Sequence, residues 1–301
     1  MNRMELLLAG TADGLHRVDE MAPAEFPGRR VSALAFDGAH LWAVADEHEI
    51  WGLPAGGRWE RASSMSDRRA NCLLPTEDGL LVGTSEAHLA QLEGGRLDPL
   101  ESFEKVKGRS DWYTPWGGPP DVRSMSAGPM GIFVNVHVGG IPRSVDGGAK
   151  WGPTIDIDAD VHQVLADTAS GLVLAACAKG LAVSEDAGGS WDYRSDGMHA
   201  DYCRAVAVAG DVVFVSSSTG PRGGRAAVYR APLDGSTPFE PCTAGSPGWL
   251  RGNIDSHCLV AIGNEVAFGT EDGRVFTSPD RGESWEKAPV NLSPVECLAA
   301  K

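Results

Sequence analysis

Three segments of this 301-residue chain repeat one pattern, S-x-D-x-G-x-x-W: Ser144 to Trp151, Ser184 to Trp191 and Ser278 to Trp285. The residue types suit a tight turn. Ser and Asp oxygens accept hydrogen bonds from turn amides, Gly takes positive φ, and Trp lays an apolar face across the hairpin. Recurrence at a fixed interval marks a repeat architecture and constrains the fold more than any local propensity. The first two copies start 40 residues apart and the last two 94, leaving room for one further unit with a degenerate box.

Strand signals extend that period over the whole chain. Short apolar runs start near Val31, Asn71, Val122, Val161, Cys203, His257 and Val295, each followed by a Gly or Asp turn and a second run. Gly79-Leu-Leu-Val-Gly-Thr84 and Asn264-Glu-Val-Ala-Phe-Gly-Thr270 are examples. Alternating short strands at this spacing, with no helical periodicity, predict an all-β, seven-bladed β-propeller of four-stranded antiparallel blades. No linker interrupts the pattern, so residues 1–301 read as one domain. The run at Val295 lies too near the C-terminus to complete a blade, and the segment Glu5 to Arg17 lacks an inner strand before it. Pairing the N- and C-terminal segments completes one blade and protects edges that would otherwise be open.

On its three boxes the chain resembles the Asp-box (bacterial neuraminidase repeat) propellers of the sialidase-like superfamily. The resemblance implies that each box folds the hairpin between the two outer strands of a blade, away from the active site. Sialidases of that superfamily are six-bladed and use three arginines, a Tyr–Glu nucleophile pair, an aspartate acid/base and an N-terminal Arg-Ile-Pro element. The nearest string here is Ile141-Pro142-Arg143, in another order and beside a box. None of the four tyrosines, Tyr113, Tyr193, Tyr202 and Tyr229, is predicted on an inner strand beside a glutamate. A sialidase-type glycoside hydrolase is therefore disfavoured.

Charge narrows the partners. With 26 basic and 41 acidic residues the formal charge is −15, which repels phosphate backbones and anionic lipid, so nucleic acid and membrane surfaces are not expected partners. The apolar run Leu6–Ala9 is too short for a signal peptide or a membrane span, and a cytoplasmic location is expected. Six cysteines sit far apart without a C-x-x-C pair and read as buried free thiols.

In a propeller the inner strands start at one rim of the central channel. Aligning them places Ser32, Asn71, Arg123, His162, Arg204, His257 and Glu296 at one equivalent position, five of them ionisable. The end of a second strand adds His137, at the position that Thr84 and Thr270 hold in their blades. Converging ionisable groups point to a functional site. His137, His162 and His257 are candidate ligands for a divalent metal, zinc or another transition metal. Glu296, with His162 and His257, is a candidate for acid–base catalysis, while Arg123, Arg204 and Asn71 suit an anionic or polar substrate. Trp112, Tyr113 and Trp116, on an insertion at 104–120, are candidates to line the site, and a 240–256 loop carries Trp249. The expected function is a small-molecule propeller enzyme, a hydrolase or lyase, with metal assistance. The alternative is a protein-docking platform, as in the propellers resembling photosystem II assembly factors, with Arg123 and Arg204 as the docking patch.

Overall fold

The computed structural model describes residues 3–20 and 22–301. The chain is a seven-bladed β-propeller: its strands form seven antiparallel sheets, six of them with neighbours in sequence order and one joining the two ends of the chain. The inner strands are Val295–Ala300 in blade one, then Val31–Asp37, Ala70–Thr76, Val122–Gly128, Val161–Ala166, Tyr202–Ala209 and Leu259–Ile262 in blades two to seven. Each lies within two residues of its predicted start. Among the described residues helix is confined to short 3₁₀ turns, and no described helix is long and apolar enough to cross a membrane.

By backbone contacts the chain divides into two compact units. One holds the described residues up to Val31 with Ala176–Leu181 and Tyr193–Lys301, and the other holds Ser32–Ala175 and Ala182–Asp192.

The first unit contains the joined termini. Leu7–Thr11 pairs on one side with Val295–Ala300, with Ala9 opposite Leu298, and on the other with Gly14–Arg17. Lys301 and Leu6 extend the ladder through reciprocal backbone bonds of 2.9 and 3.0 Å. Among the described residues six blades have four strands, as expected, but this one has three. Its outermost position holds, among the described residues, the bridge between Leu15 and Glu25. The intervening chain runs through Asp19, Glu20 and Pro23, and Pro lacks the amide that a ladder needs. Phe214, Phe268, Phe276 and Trp285 anchor this unit's core.

In the second unit the inner strands of blades three, four and five lie side by side, and Phe103, Val122, Val136 and Trp151 fill the space between sheets. A glycine sets how closely blades approach. Gly83, opposite Cys72, ends the second strand of blade three, and a Cβ there would stand 2.5 Å from Val122 Cγ1. Gly10, opposite Cys297, holds the same position in blade one, where a Cβ would stand 2.6 Å from the Val31 carbonyl oxygen. Gly83→Ala is expected to destabilise by about 1–3 kcal/mol through overpacking. An unchanged urea midpoint would show that Val122 has room to retreat.

The three boxes share one hydrogen-bond scheme. Ser144 Oγ donates to Asp146 Oδ1 and accepts from the Gly148 amide, and Asp146 accepts from the Lys150 amide, at 2.8–2.9 Å. Ser184–Asp186 and Ser278–Asp280 repeat it. These bonds hold the Asp146 and Asp186 carboxyls below the usual carboxylate range, the backbone amides of Lys150 and Ser190 being the main cause. All six cysteines are buried and outside any disulfide, and burial pushes the Cys72 thiol up to about 12. Such thiols are structural and inert at neutral pH.

Candidate functional site

The ladder between first and second strands slips at one recurrent place. Pairing passes from Ala70–Thr84 to Cys72–Gly83, from Val122–Val136 to Ser124–Asn135, and from Val295–Thr11 to Cys297–Gly10. The skipped residues are Asn71, Arg123 and Glu296. In blade six the slip spans Arg204. Four members of the aligned row are therefore β-bulge residues, outside the ladder and with re-aimed side chains. That geometry lets polar residues occupy the start of an otherwise apolar strand.

Most bulge side chains make local fastenings. Asn71 Nδ2 donates to the Val122 carbonyl at 3.1 Å, joining blades three and four. Glu296 Oε2 accepts from Arg30 Nη2 at 2.8 Å. Arg204 is held by Asp255, by the Pro221 carbonyl at 3.0 Å, and over the Tyr202 ring. His257 precedes its strand with φ of +65°, and its carbonyl accepts from the Leu298 amide at 2.8 Å.

Arg123 is different, because it opens onto a cluster of ionisable side chains in the second unit. Its Nη1 lies 3.4 Å from His137 Nε2. The same His137 nitrogen stands 3.0 Å from Asp160 Oδ1, and His162 Nε2 stands 3.7 Å from that oxygen. The two imidazole centroids are 5.4 Å apart. His162 is fully buried, whereas Asp160 keeps 28% of its side-chain surface exposed, so the cluster reaches solvent through the carboxylate. Burial alone would raise the Asp160 carboxyl. The close His137 contact and the charges of His162, His137 and Arg123 outweigh it and hold the group below the ordinary aspartate range.

Among the described residues, this is the group whose three metal-ligand-type atoms lie within 4.8 Å of one another. Its third member is Asp160, which sequence reasoning missed. His257, which that reasoning grouped with the other two histidines, belongs to the other unit. Asp160 escaped notice because it lies on no strand: it closes a 3₁₀ turn, Ile157–Ala159, in a left-handed conformation (φ 50°, ψ 66°). The signal that could have found it is the acid-rich string Asp156-Ile-Asp158-Ala-Asp160 directly before Val161-His162. A second correction concerns His137. Val136, not His137, faces the inner strand as Thr84 does, so His137 lies one residue further on, its amide bound to the Asp121 carbonyl at 2.9 Å. Both second strands run six residues, Gly79–Thr84 and Gly131–Val136, so His137 falls one place beyond the strand end.

The 104–120 insertion divides its aromatics among three tasks. Trp112 packs on Phe103 and under Arg109, as part of the core. Tyr113 donates to Asp158 Oδ1 at 3.1 Å, tethering the connection that carries Asp160, and that carboxylate raises the phenol's pKa. Trp116, 65% exposed, lies 5.1 Å from the His137 ring and flanks the cluster. In the other unit Trp249 packs edge-on against His199 beneath Arg225.

No family model and no curated protein matches the chain. Solved structures do, and they define it as a β-propeller. The chain is similar to YCF48 bound to D1 peptide, at 17% identity with a TM-score of 0.60, covering 96% of this chain and 86% of that one. It is similar to YCF48 from Cyanidioschyzon merolae at 16% identity with a TM-score of 0.61, covering 88% and 86%. The GH74 xyloglucanase from Xanthomonas campestris aligns at 14% identity with a TM-score of 0.64, over 95% of this chain but 46% of that one. Propellers of this shape thus include an enzyme and a peptide binder, and at these identities the likeness shows the fold alone.

Proposed function

We propose that this propeller binds an anionic or polar small molecule at the start of the blade-five inner strand and acts on it as a hydrolase or lyase. The observation that carries the reading is the convergence of His137 and His162 on one carboxylate oxygen of Asp160, beside Arg123 and an exposed Trp116. A carboxylate-oriented imidazole is the arrangement that general acid–base chemistry uses. Arg123 supplies a fork-shaped donor for a carboxylate or phosphate, and Trp116 supplies an apolar face for the rest of the molecule. Asp160 sits in a backbone conformation that costs energy for a non-glycine residue, and such strain is retained where surrounding structure and function require it. The three boxes support a place among the Asp-box propellers, with the chemistry at strand starts rather than at the boxes. No sialidase-type residue set is part of this reading.

A second reading is peptide docking on the same surface. Exposed Tyr113 and Trp116 favour it, as does the similarity to a propeller with a bound peptide. Titrating a panel of dicarboxylates and phosphate esters into the wild-type protein and Arg123→Ala separates the two. A weak but saturable affinity that falls about 10–100-fold in Arg123→Ala is expected, the scale of a lost charged hydrogen bond. Failure of the whole panel to bind wild-type protein would count against the small-molecule reading and in favour of docking.

A further inference from the structure

The same cluster supports a more specific assignment, which deepens the proposed function. We propose that His137 Nε2, Asp160 Oδ1 and His162 Nε2 hold one divalent transition-metal ion, zinc being the best fit, with the remaining coordination open to water or to the anionic substrate.

Zinc takes nitrogen and oxygen ligands at about 2.0–2.1 Å, and a tetrahedral arrangement at those lengths separates neighbouring ligand atoms by about 3.3–3.4 Å. The carboxylate oxygen stands 3.0 Å from one imidazole nitrogen and 3.7 Å from the other, on either side of that spacing. Hydrogen bonding does not explain this. At 3.0 Å the first contact is within reach of one, yet Asp160 Oδ1 is buried without a hydrogen bond of acceptable geometry, and 3.7 Å is beyond one. Both rings nevertheless turn the same nitrogen, Nε2, toward the same oxygen. An ion between the three atoms accounts for both distances with small adjustments.

The donor set is equally informative. Two imidazoles and one carboxylate suit zinc, or iron with open positions, and do not suit calcium or magnesium, which take oxygen ligands. The ligands come from three places in the fold: the end of blade four's second strand, the connection into blade five, and blade five's inner strand. Tyr113 braces the connection through Asp158.

Arg123 introduces an opposing charge. Its guanidinium lies 3.4 Å from the His137 nitrogen that would ligate the ion, and one carboxylate does not neutralise both cations. The metal should therefore bind more tightly when Arg123 is engaged by an anion or absent. A substrate bridging Arg123 and the ion would place its reacting group where a metal-bound water is delivered.

The test uses purified full-length protein stripped with chelator, with Zn²⁺ alone as the probe in calorimetry and Co²⁺ as a spectroscopic reporter. One equivalent of Zn²⁺ is expected to bind, and Co²⁺ to give visible ligand-field bands with displacement by Zn²⁺. Asp160→Asn and His137→Gln, both at partly exposed positions, should weaken Zn²⁺ binding at least tenfold while thermal melting stays near wild type. Arg123→Met should strengthen it. His162→Gln replaces a fully buried side chain, so the other two variants carry the decision if it fails to fold. Absence of stoichiometric Zn²⁺ binding, or binding that both Asp160→Asn and His137→Gln leave intact, overturns the assignment. If the metal fails while carboxylates or phosphate esters still bind through Arg123, the small-molecule site stands without its ion. If neither binds, both readings fall.

Discussion

Deleting residues 295–301 is expected to abolish stable folding, yielding aggregated protein or a melting temperature far below that of the full chain. The segment is the inner strand of blade one and buries Val295, Cys297, Leu298 and Ala299. Val295 and Leu298 together account for about 3–6 kcal/mol of apolar burial. Set against a typical domain stability of about 5–15 kcal/mol, that loss alone is severe. Removal also strips Leu7–Thr11 of the partner along one whole side, including the backbone bonds between Leu6 and Lys301. The exposed edge is apolar and fully buried in the intact chain, the kind that recruits strands from other molecules. Light scattering during a thermal ramp reads both effects. A truncated protein that melts like the full one, without scattering, would contradict the role of this pairing.

Trp285→Ala should be the most damaging single substitution among the boxes, at about 3–5 kcal/mol. The indole is 3% exposed, packs 5.0 Å from the Phe268 ring and 6.3 Å from Phe214, and donates its N–H to the Gly282 carbonyl at 3.2 Å. Truncation leaves a cavity among aromatics that cannot collapse. Trp151, 9% exposed and edge-on to Phe103, should follow closely. Trp191 is only half-buried and should cost less, although its N–H bonds the Thr154 carbonyl. Denaturant unfolding of the three variants gives the ranking. Equal losses at all three positions would mean that turn geometry rather than tryptophan burial dominates. Since the boxes lie at outer hairpins, anion and Zn²⁺ affinity of the folded fraction should not change.

The repeat, the strand starts and the pairing of the two ends were all legible in the sequence, because each depends on short-range chemistry. Ser, Asp and Gly at fixed offsets dictate a turn. Alternating apolar residues dictate a half-buried strand. The leftover run at Val295 has only one segment lacking a partner, Leu7–Thr11. The row of polar residues before each small residue was also readable, since a bulge keeps its offset from the strand that follows.

What those residues do was decided by tertiary structure. Asn71, Arg204 and Glu296 look as reactive as Arg123 on paper, yet contacts with Val122, with Asp255 and Pro221, and with Arg30 turn them into fastenings. Their partners lie on other strands or loops, at separations that no local pattern encodes. Trp112 and Trp116, four positions apart, part company because one turn of the insertion sends the first inward against Phe103 and the second out beside His137. Asp160 entered the site because a 3₁₀ turn and a left-handed residue swing its carboxylate between two histidines. The sequence by itself determined the repeating backbone frame, whose hydrogen bonds and burial are periodic. Only the folded chain determined which of the frame's polar side chains meet, because convergence at ångström distances depends on loop conformation and on strand register, and neither is periodic.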